Sequence, residues 1–500
     1  MHNTCLTRGS VWNRGKSHRS SVGAIAGILA LAAGYPAHAA SPRYPLTGRS
    51  VEIDPSFPYY ADRSAESIAS EMHVHGIRAA RVVVTDEDSI SRKLIDALHH
   101  DGIGVWCVAF GNGTYAPRKL PAEASTWKMV LRRDLEGKPF DDGFTRLCLN
   151  NLDYRQWKKR RLAALLCRVP FDGVEIVEAH WPEYPGPSSP VYGCFCPACR
   201  AAFLTMFPQE TELPNVVDPQ SPRSPKHDPQ LWNKWLKFRA TTATAFLNDI
   251  VNGPGGIRST SHTVSVGVWT LTLTDADGMS RMRDDCGQDP AAVARLVRPD
   301  SMGLQTNWPD WSRPDLTPDY VDGLKPFIDA IRAVAPSMPL VVQADAGSAR
   351  PSLRSAEWIA AFERRCRQIG AAGTTYYSYE VSGPMYDAPR LVSANRYPGA
   401  MATALGRHVA LDQQSAKSIR LTFDKRIEPS TDPSHFQLDH GRVDQVTVDG
   451  NLVTLSTTDA AHASTVTVTD IANVPRLLFF SDIPAAILRR QSIQIMGVAK

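Results

Sequence analysis

Residues 171–203 read FDGVEIVEAHWPEYPGPSSPVYGCFCPACRAAF. The stretch opens with a short apolar strand pattern, residues 173–178, which contains Glu175 and ends at Glu178. A proline-rich loop, a cluster of cysteines and a helical pattern follow. Carboxylates therefore lie at the end of a strand, where a loop begins. In α/β barrels the active site is built at the carboxyl ends of the strands, so this stretch predicts a barrel strand with chemistry at its end.

The first 400 residues repeat this alternation of strand and helix. The strand patterns lie at 51–54, 79–84, 103–110, 173–178, 263–271, 302–307, 340–345 and 374–380. Strands alternating with helices form a parallel sheet with right-handed crossovers, and eight such units predict an α/β fold, a closed (β/α)8 TIM barrel over residues 43–400. The alternative is an open doubly wound sheet, which would normally have fewer units.

Beyond residue 407 the pattern changes to short alternating strands rich in Val and Thr, with Asp449-Gly450 as a hairpin turn. The segments LTFDKRIEPSTDPSHFQL (421–438), DGNLVTL (449–455) and TVTVTD (465–470) carry the pattern. They resemble the bacterial Ig-like module that is often appended to exported enzymes. The strand pattern predicts a small all-β Ig-like sandwich over residues 410–500, for which we favour a role as a passive spacer over carbohydrate binding.

The amino terminus has the features of a secretory signal peptide. Arg8, Arg14, Lys16 and Arg19 precede an apolar run over residues 22–33, and Ala37-His38-Ala39 supplies small residues for cleavage. We therefore expect residues 1–39 to be removed and the protein to be exported to the periplasm or secreted. A short retained anchor is the alternative.

Charge and motifs exclude several function classes. The formal net charge is +4, and the basic residues of the signal peptide account for it, so the mature chain is neutral. Nothing global indicates binding to nucleic acid or to an anionic membrane. The sequence has no phosphate-binding Gly-rich loop, no nucleophile elbow and no H-E-x-x-H motif. We expect no redox cofactor and no stable membrane insertion after signal cleavage.

The cysteine cluster predicts a structural zinc site. Cys194, Cys196 and Cys199 form a C-x-C-x-x-C pattern at the start of a helix. Tetrahedral zinc needs a fourth ligand, and Cys148, at the end of the segment 144–149, is the best candidate. Disulfides within this set, or free thiols, are the alternatives, because an exported protein permits disulfides.

This arrangement of cysteines resembles the structural zinc site of family 42 glycoside hydrolases, which are β-galactosidases on a (β/α)8 barrel. In that family the acid/base Glu follows an Asn, whereas Val177 precedes Glu178 here. The broader resemblance is to barrel glycoside hydrolases in which a strand beginning Asp-Gly ends in acidic residues before a Cys cluster. It implies a proton donor after strand four and a nucleophile at strand seven, which correspond to Glu178 and Asp345.

The two candidate catalytic carboxylates each have an alternative interpretation. We expect apolar surroundings near Trp181 to raise the pKa of Glu178. Glu175 and Glu178 cannot both face the interior of a regular strand, so Glu175 is an alternative for the role unless a bulge intervenes. Asp345 is either the nucleophile or a turn residue, and Asp54 and Glu380 are other candidates for the second carboxylate.

Aromatic residues concentrate at the predicted strand ends, where they can stack on the apolar faces of sugars. They are Tyr59, Tyr60, Trp106, Trp181, Trp269, Trp308, Trp311, Tyr376, Tyr377 and Tyr379. The predicted substrate-binding residues are Asp54, Glu175, His180, Trp269, Asn307, Trp308, Tyr377 and Glu380. The sequence thus predicts an exported glycoside hydrolase that cleaves O-glycosidic bonds with paired carboxylates. The alternative is a non-catalytic saccharide-binding or scaffold protein on the same barrel.

Overall fold

The computed structural model describes residues 46–138, 142–182, 186–397 and 418–497. The predicted signal peptide and the predicted start of the second domain at residue 410 lie outside the described residues. Among the residues described, no helix combines the length and the apolar character that crossing a membrane requires.

The amino-terminal part is a closed barrel of eight parallel strands, as the sequence predicted. The strands are β1 (Gly48–Ile53), β2 (Ala79–Val84), β3 (Gly104–Phe110), β4 (Gly173–Val177), β5 (Ser265–Leu271), β6 (Ser301–Gln305), β7 (Leu340–Asp345) and β8 (Gly373–Tyr377). Each strand pairs with its neighbours in chain order, and β8 closes the barrel against β1. All the carboxyl ends therefore meet at one rim.

Nine α-helices of seven residues or more are described, and each of them follows one of the strands β1 to β7. They are α1 (Ala65–Val74), α2 (Arg92–His100), α3 (Leu152–Arg168), α4 (Pro197–Met206), α5 (Pro229–Asn252), α6 (Gly278–Cys286), α7 (Pro290–Leu296), α8 (Lys325–Val334) and α9 (Ala356–Gln368). Side chains cap five of them at the amino terminus, each accepting a hydrogen bond from a first-turn N–H, which fixes where the helix begins. These caps are Ser64, Asn151, Asp228, Asp289 and Ser355.

The carboxyl-terminal part is one mixed sheet of seven strands with its own apolar core. The strands are β9 (Leu391–Tyr397), β10 (Ser418–Phe423), β11 (Phe436–Leu438), β12 (Val443–Asp449), β13 (Leu452–Thr457), β14 (Thr465–Ala472) and β15 (Ile487–Met496). β9 and β15 pair in parallel at the centre of the sheet. Neither strand was predicted from the sequence, and β9 lies within the predicted barrel range, because pairing with β10 and with β14 sets the places of β9 and β15.

A buried polar cluster joins the sheet to the barrel. Arg63 pairs with Glu71 at 2.8 Å, and both side chains are only 1% exposed. Glu71 also accepts hydrogen bonds from the hydroxyls of Tyr59 at 2.6 Å and Tyr379 at 2.9 Å. From the sheet side, Arg426 donates to the carbonyl of Tyr59 at 2.7 Å. Buried charges are tolerated when they are paired and hydrogen-bonded, so this cluster fixes how the two parts meet.

Candidate active site

All eight barrel strands contribute to one cavity at their carboxyl ends. Its volume is about 570 Å³. The polar lining consists of Glu52, Asp54, Ser56, Thr85, Glu178, Gln305, Thr306, Asn307, Gln343, Asp345 and Ser378. The larger apolar and aromatic lining consists of Phe57, Val83, Val108, Phe110, Tyr115, Val177, Trp269, Trp311 and Tyr377. A concave site that mixes apolar walls with a few polar groups is typical of small-molecule recognition.

Glu178 reaches the cavity because the chain leaves the strand conformation there. Val177 faces the interior together with Val108 and Trp269, so a regular strand would turn Glu178 outward. Instead Glu178 has φ 52°, in the left-handed region, which costs a non-glycine residue roughly 1–3 kcal/mol. The break in regularity, one of the possibilities raised by the sequence, lets Glu175 and Glu178 both point into the barrel.

The Glu178 carboxyl is held by two side chains. His180 Nε2 lies 2.8 Å from one oxygen, and Gln305 donates to the other at 3.0 Å. Burial pushes the pKa of Glu178 up, but the hydrogen bond and charge of His180, helped by Gln305, outweigh it. The pKa therefore lies below its usual value, and the expectation of a raised pKa is wrong. Glu178 is an ionised carboxylate at neutral pH.

Asp345 ends β7 and lines the cavity, but the following loop holds its carboxyl. One oxygen accepts from the backbone N–H groups of Gly347 at 2.7 Å and Ser348 at 2.6 Å. The Ser348 hydroxyl bonds to the other oxygen. This is the turn geometry that the sequence offered as an alternative. Burial raises the pKa of Asp345, and these hydrogen bonds offset only part of that effect.

Four other predicted site residues line the same cavity: Asp54, Trp269, Asn307 and Tyr377. Asp54 accepts hydrogen bonds from the N–H of Ser56 at 2.9 Å and from its hydroxyl at 2.6 Å. Trp269 has room because the neighbouring strand carries Gly303, where a Cβ would stand 2.6 Å from the indole. Overpacking a core in this way is destabilising, so the glycine sets the position of this aromatic wall.

The remaining predicted residues lie outside this cavity. Glu175 is buried beneath its floor and pairs with Arg81 at 3.1 Å. Glu380 lies behind the wall, where it accepts from Tyr60 at 2.8 Å and Ser378 at 2.6 Å. Trp308 begins a four-residue helix and is 50% exposed.

Most of the predicted aromatic cluster is also placed elsewhere. Trp106 packs with Leu46, Ala79 and Val341 near the amino ends of the strands. Trp181 is fully buried and donates to the carbonyl of Arg239 at 2.8 Å. Tyr59, Tyr60, Tyr376 and Tyr379 are buried outside the cavity lining. Proximity to a strand end does not determine which way a side chain points.

A second cavity of about 340 Å³ adjoins the first. Both share Tyr115, Glu178, Gln305, Asn307 and Trp311. The second is otherwise lined by Asn112, Asp142, Phe144, Arg146, His180, Pro182 and Leu271. Glu178 therefore stands where the two cavities meet, and His180 faces the second one.

Sequence reasoning missed Glu52 and Gln343 at the cavity floor. Glu52 lies on β1 and, like Arg81 beside it on β2, faces the interior. Burial raises the pKa of Glu52 to about 8. The charge of Arg81 opposes this rise, and the charge of Glu175 adds to it. The sequence does contain an indication of Glu52, because a charged residue there stands between the apolar residues Val51 and Ile53 of a short strand.

Replacing Glu52 by Gln should change how stability depends on pH. The pKa of about 8 in the folded state exceeds the ordinary value of 4.5, so folding takes up a proton between these values. The wild type should therefore lose stability as pH rises through this window, relative to Glu52→Gln, with a slope approaching about 1.4 kcal/mol per pH unit. Thermal unfolding of both proteins from about pH 5 to pH 9 measures it.

Glu380, whose pKa burial raises to about 7, titrates in both proteins and cancels in the comparison. The charged and titratable groups acting on Glu52 are Arg81, Glu175, Asp345 and Tyr377. A difference in melting temperature that stays constant across the range would show that Glu52 does not hold this proton.

The four predicted metal ligands come together. Cys148, Cys194, Cys196 and Cys199 are buried, and their sulfur atoms all lie within 4.8 Å of one another. Cys148 Sγ is 3.4 Å from the sulfurs of both Cys196 and Cys199. These separations exceed an S–S bond of about 2.05 Å, and the cysteines within the described ranges are all free.

The surroundings of the cluster suit thiolate ligands. The backbone N–H of Val130 donates to Cys194 Sγ at 3.3 Å. Asn150 donates from its backbone to Cys148 and from its amide to Cys199, each at 3.4 Å. Four sulfur donors in a compact group can bind a metal ion, and outer hydrogen bonds of this kind orient such ligands.

Comparison with known proteins finds similarity among solved structures. No family model and no curated protein matches the chain. The catalytic domain of a beta-amylase from Paenibacillus polymyxa shares 11% identity, with 66% of this chain and 92% of that one covered and a TM-score of 0.44. A cold-adapted beta-galactosidase from Rahnella sp. R3 shares 14%, with 66% and 50% covered and a TM-score of 0.47.

An endo-beta-1,4-mannanase from Thermotoga petrophila shares 9% identity over 91% of this chain and 98% of that one, with a TM-score of 0.38. Each TM-score is below 0.5, so these similarities say nothing about the chemistry of this chain. The closed barrel is established by its own strand order.

Proposed function

We propose that the protein hydrolyses O-glycosidic bonds in the cavity at the carboxyl ends of the barrel strands. One observation carries the proposal: Glu178 and Asp345 line the same cavity, and their pKa values are shifted in opposite directions. Glycoside hydrolysis needs one carboxyl group that gives a proton and a second that is ionised. Pairs of carboxyls whose environments separate their pKa values are suited to these two roles.

The directions of the shifts exchange the roles suggested by the sequence. Glu178 is the ionised partner, acting as nucleophile or as base for a water molecule. Asp345 is the proton donor, because its buried environment favours the neutral form. When Asp345 is protonated, the neighbouring Ser348 hydroxyl can accept a hydrogen bond instead of donating one, so the local contacts are compatible with this state.

The walls of the two cavities suit a saccharide. Trp269, Trp311 and Tyr377 offer aromatic faces for the apolar side of a sugar ring. Gln305 and Asn307 line both cavities and can bind hydroxyl groups. Since Glu178 stands at the junction, we place the scissile bond there, with one sugar unit on each side.

A non-catalytic saccharide-binding protein is the second candidate. Both oxygens of Asp345 are engaged by the loop at residues 347–348. If that loop holds the carboxyl too firmly to exchange a proton with a substrate, the cavity binds sugars without cleaving them.

The cysteine cluster and the amino terminus support two further parts of the proposal. Four cysteine thiolates are the ligands of closed structural zinc sites, and we propose that Cys148, Cys194, Cys196 and Cys199 hold zinc as a structural crosslink. The ion would crosslink the segment before α3 to the loop after β4. It would have no catalytic role. The amino-terminal pattern supports export to the periplasm or beyond the cell.

A panel of aryl glycosides and polysaccharides tests the hydrolysis, with the wild type beside Asp345→Asn. We expect cleavage of at least one substrate, and a loss of kcat of about a hundredfold or more in the variant, since a positioned acid contributes 10²–10⁴-fold. Asp153→Asn, an exposed change of the same kind at the start of α3, should leave kcat unchanged. Sugar binding without turnover, unaffected by Asp345→Asn, would support the binding-protein alternative.

A further inference from the structure

Polar side chains form the floor of the cavity, in the interior of the barrel. Glu52, Arg81, Glu175 and Gln343 come from four different strands, and each is at most 6% exposed. The interior of such barrels is usually filled by layers of apolar side chains. Burying polar groups is costly unless they are hydrogen-bonded, so a polar layer at this depth needs hydrogen-bond partners.

The single cation of this layer, Arg81, is not part of the cavity lining and forms an ion pair with Glu175. Arg81 Nε lies 3.1 Å from a Glu175 oxygen, and its guanidinium stands over the Trp269 ring at 5.4 Å from the centroid. Glu52 Oε1 and Gln343 Oε1 are buried and have no hydrogen-bond partner among the described residues, while the Gln343 side chain also hydrogen-bonds to the Glu52 carboxyl. Both residues line the cavity. The floor therefore presents two acceptor oxygens that the protein itself does not satisfy.

We propose that Glu52 and Gln343 form a binding subsite for the hydroxyl groups of a neutral sugar unit at the floor of the cavity. The inference rests on the proposed function and names the class of sugar that occupies the inner part of the site. Trp269 and Tyr377, which line the same cavity, supply the apolar contact to the ring.

Hydroxyl groups match the chemistry of the floor. A sugar hydroxyl both donates and accepts a hydrogen bond. The pKa of about 8 keeps Glu52 protonated at neutral pH, so this carboxyl can also do both. The amide of Gln343 has a donor and an acceptor end as well. A buried polar site built for a hydroxyl strongly disfavours an analogue that lacks it, because its own groups stay unpaired.

The charges around the floor disfavour an acidic sugar. Glu178 is an ionised carboxylate in the same cavity. Arg81 is fully buried and does not line the cavity, so its guanidinium is not presented to a sugar carboxylate there. A uronic acid carboxylate placed here would meet like charge in a region of low dielectric. The subsite therefore takes neutral sugars.

Direct binding of monosaccharides tests the proposal without depending on turnover. The parent is the wild-type full chain, since monosaccharides carry no glycosidic bond to cleave, and the probes are glucose, galactose, mannose, xylose and N-acetylglucosamine, beside glucuronic and galacturonic acid, measured by calorimetric titration. We expect at least one neutral sugar to bind, and its acidic counterpart to bind at least tenfold more weakly.

Variants of the floor locate the site. Glu52→Ala and Gln343→Ala, each added to the parent, should weaken binding by about tenfold, the effect of one lost hydrogen bond. Glu52→Gln keeps a neutral group of the same shape and should stay within about threefold of the parent. Thermal unfolding of each variant checks its folding. If Glu52→Ala does not fold, Gln343→Ala and Glu52→Gln still test the proposed subsite.

Three results would overturn the proposal: sugar affinity unchanged in Gln343→Ala and Glu52→Ala, tighter binding of the uronic acids, or no binding by any sugar of the panel. Hydrolysis by the wild type is read separately. If the wild type cleaves a substrate and the floor variants bind sugar as tightly as the parent, the proposed function is supported and the proposed subsite is wrong. Binding that depends on the floor, without cleavage of any substrate, would uphold the subsite and count against hydrolysis.

Discussion

Replacing Glu178 by Gln is expected to lower kcat/KM by about a thousandfold while the protein stays folded. The substitution keeps the size of the side chain and an oxygen that can accept from His180 or Gln305, but it removes the negative charge. A thousandfold loss corresponds to about 4 kcal/mol of transition-state stabilisation. Steady-state kinetics on the best substrate of the glycoside panel, with circular dichroism and thermal unfolding of both proteins, measure the effect.

The matched control is Glu123→Gln, the same change at an exposed position outside both cavities. It should leave kcat/KM unchanged. If Glu178→Gln keeps wild-type activity, the assignment of Glu178 is wrong, and Asp54 becomes the next candidate, because it is another predicted carboxylate in the same cavity.

The ionised state of Glu178 also predicts the acidic limb of the activity profile. Since the pKa of Glu178 lies below its usual value, activity that needs the carboxylate should persist to lower pH than for an ordinary Glu. The two carboxyls titrate together as macroscopic steps, so the profile reports on the pair.

The sequence predicted the barrel because its strands are short and buried on both faces. Such strands appear as nearly continuous apolar runs bounded by turns, as in residues 79–84 and 340–345, which the structure reproduces at the same positions. The run that includes residues 374–380 was extended too far, since β8 ends at Tyr377 and a helical turn follows.

The details of the site depend on contacts that sequence order does not show. Gln305 is separated by 127 residues from Glu178, to which it donates, and the two meet only because the barrel closes. The sequence placed His180 near Glu178 but did not reveal that it would bond the carboxyl and lower its pKa. Likewise Tyr376 and Tyr377 are adjacent in the chain, yet only Tyr377 lines the cavity, because alternate side chains of a strand face opposite sides.

Removing the proposed zinc ion from the cysteine cluster should lower the free energy of unfolding by several kcal/mol. A ligand present at a thousand times its dissociation constant stabilises the folded state by about 4 kcal/mol, and this stabilisation is lost when the ion is removed. Elemental analysis of the purified protein should give one zinc per chain. Thermal unfolding before and after treatment with a chelator should show a lower melting temperature, restored by added zinc.

Two cysteine variants separate a bound metal from disulfides. Cys196→Ser removes one of the four clustered sulfurs and should reduce both the zinc content and the melting temperature. Cys167→Ser changes an exposed cysteine on α3 that is outside the cluster, so zinc content should be unchanged. Mass spectrometry after alkylation of the unfolded protein counts the free thiols. Protein without zinc, in which the four clustered cysteines resist alkylation until they are reduced, would establish disulfides in place of the metal site. With zinc bound and all four thiols alkylated, the ion is the crosslink between the segment before α3 and the loop that follows Glu178.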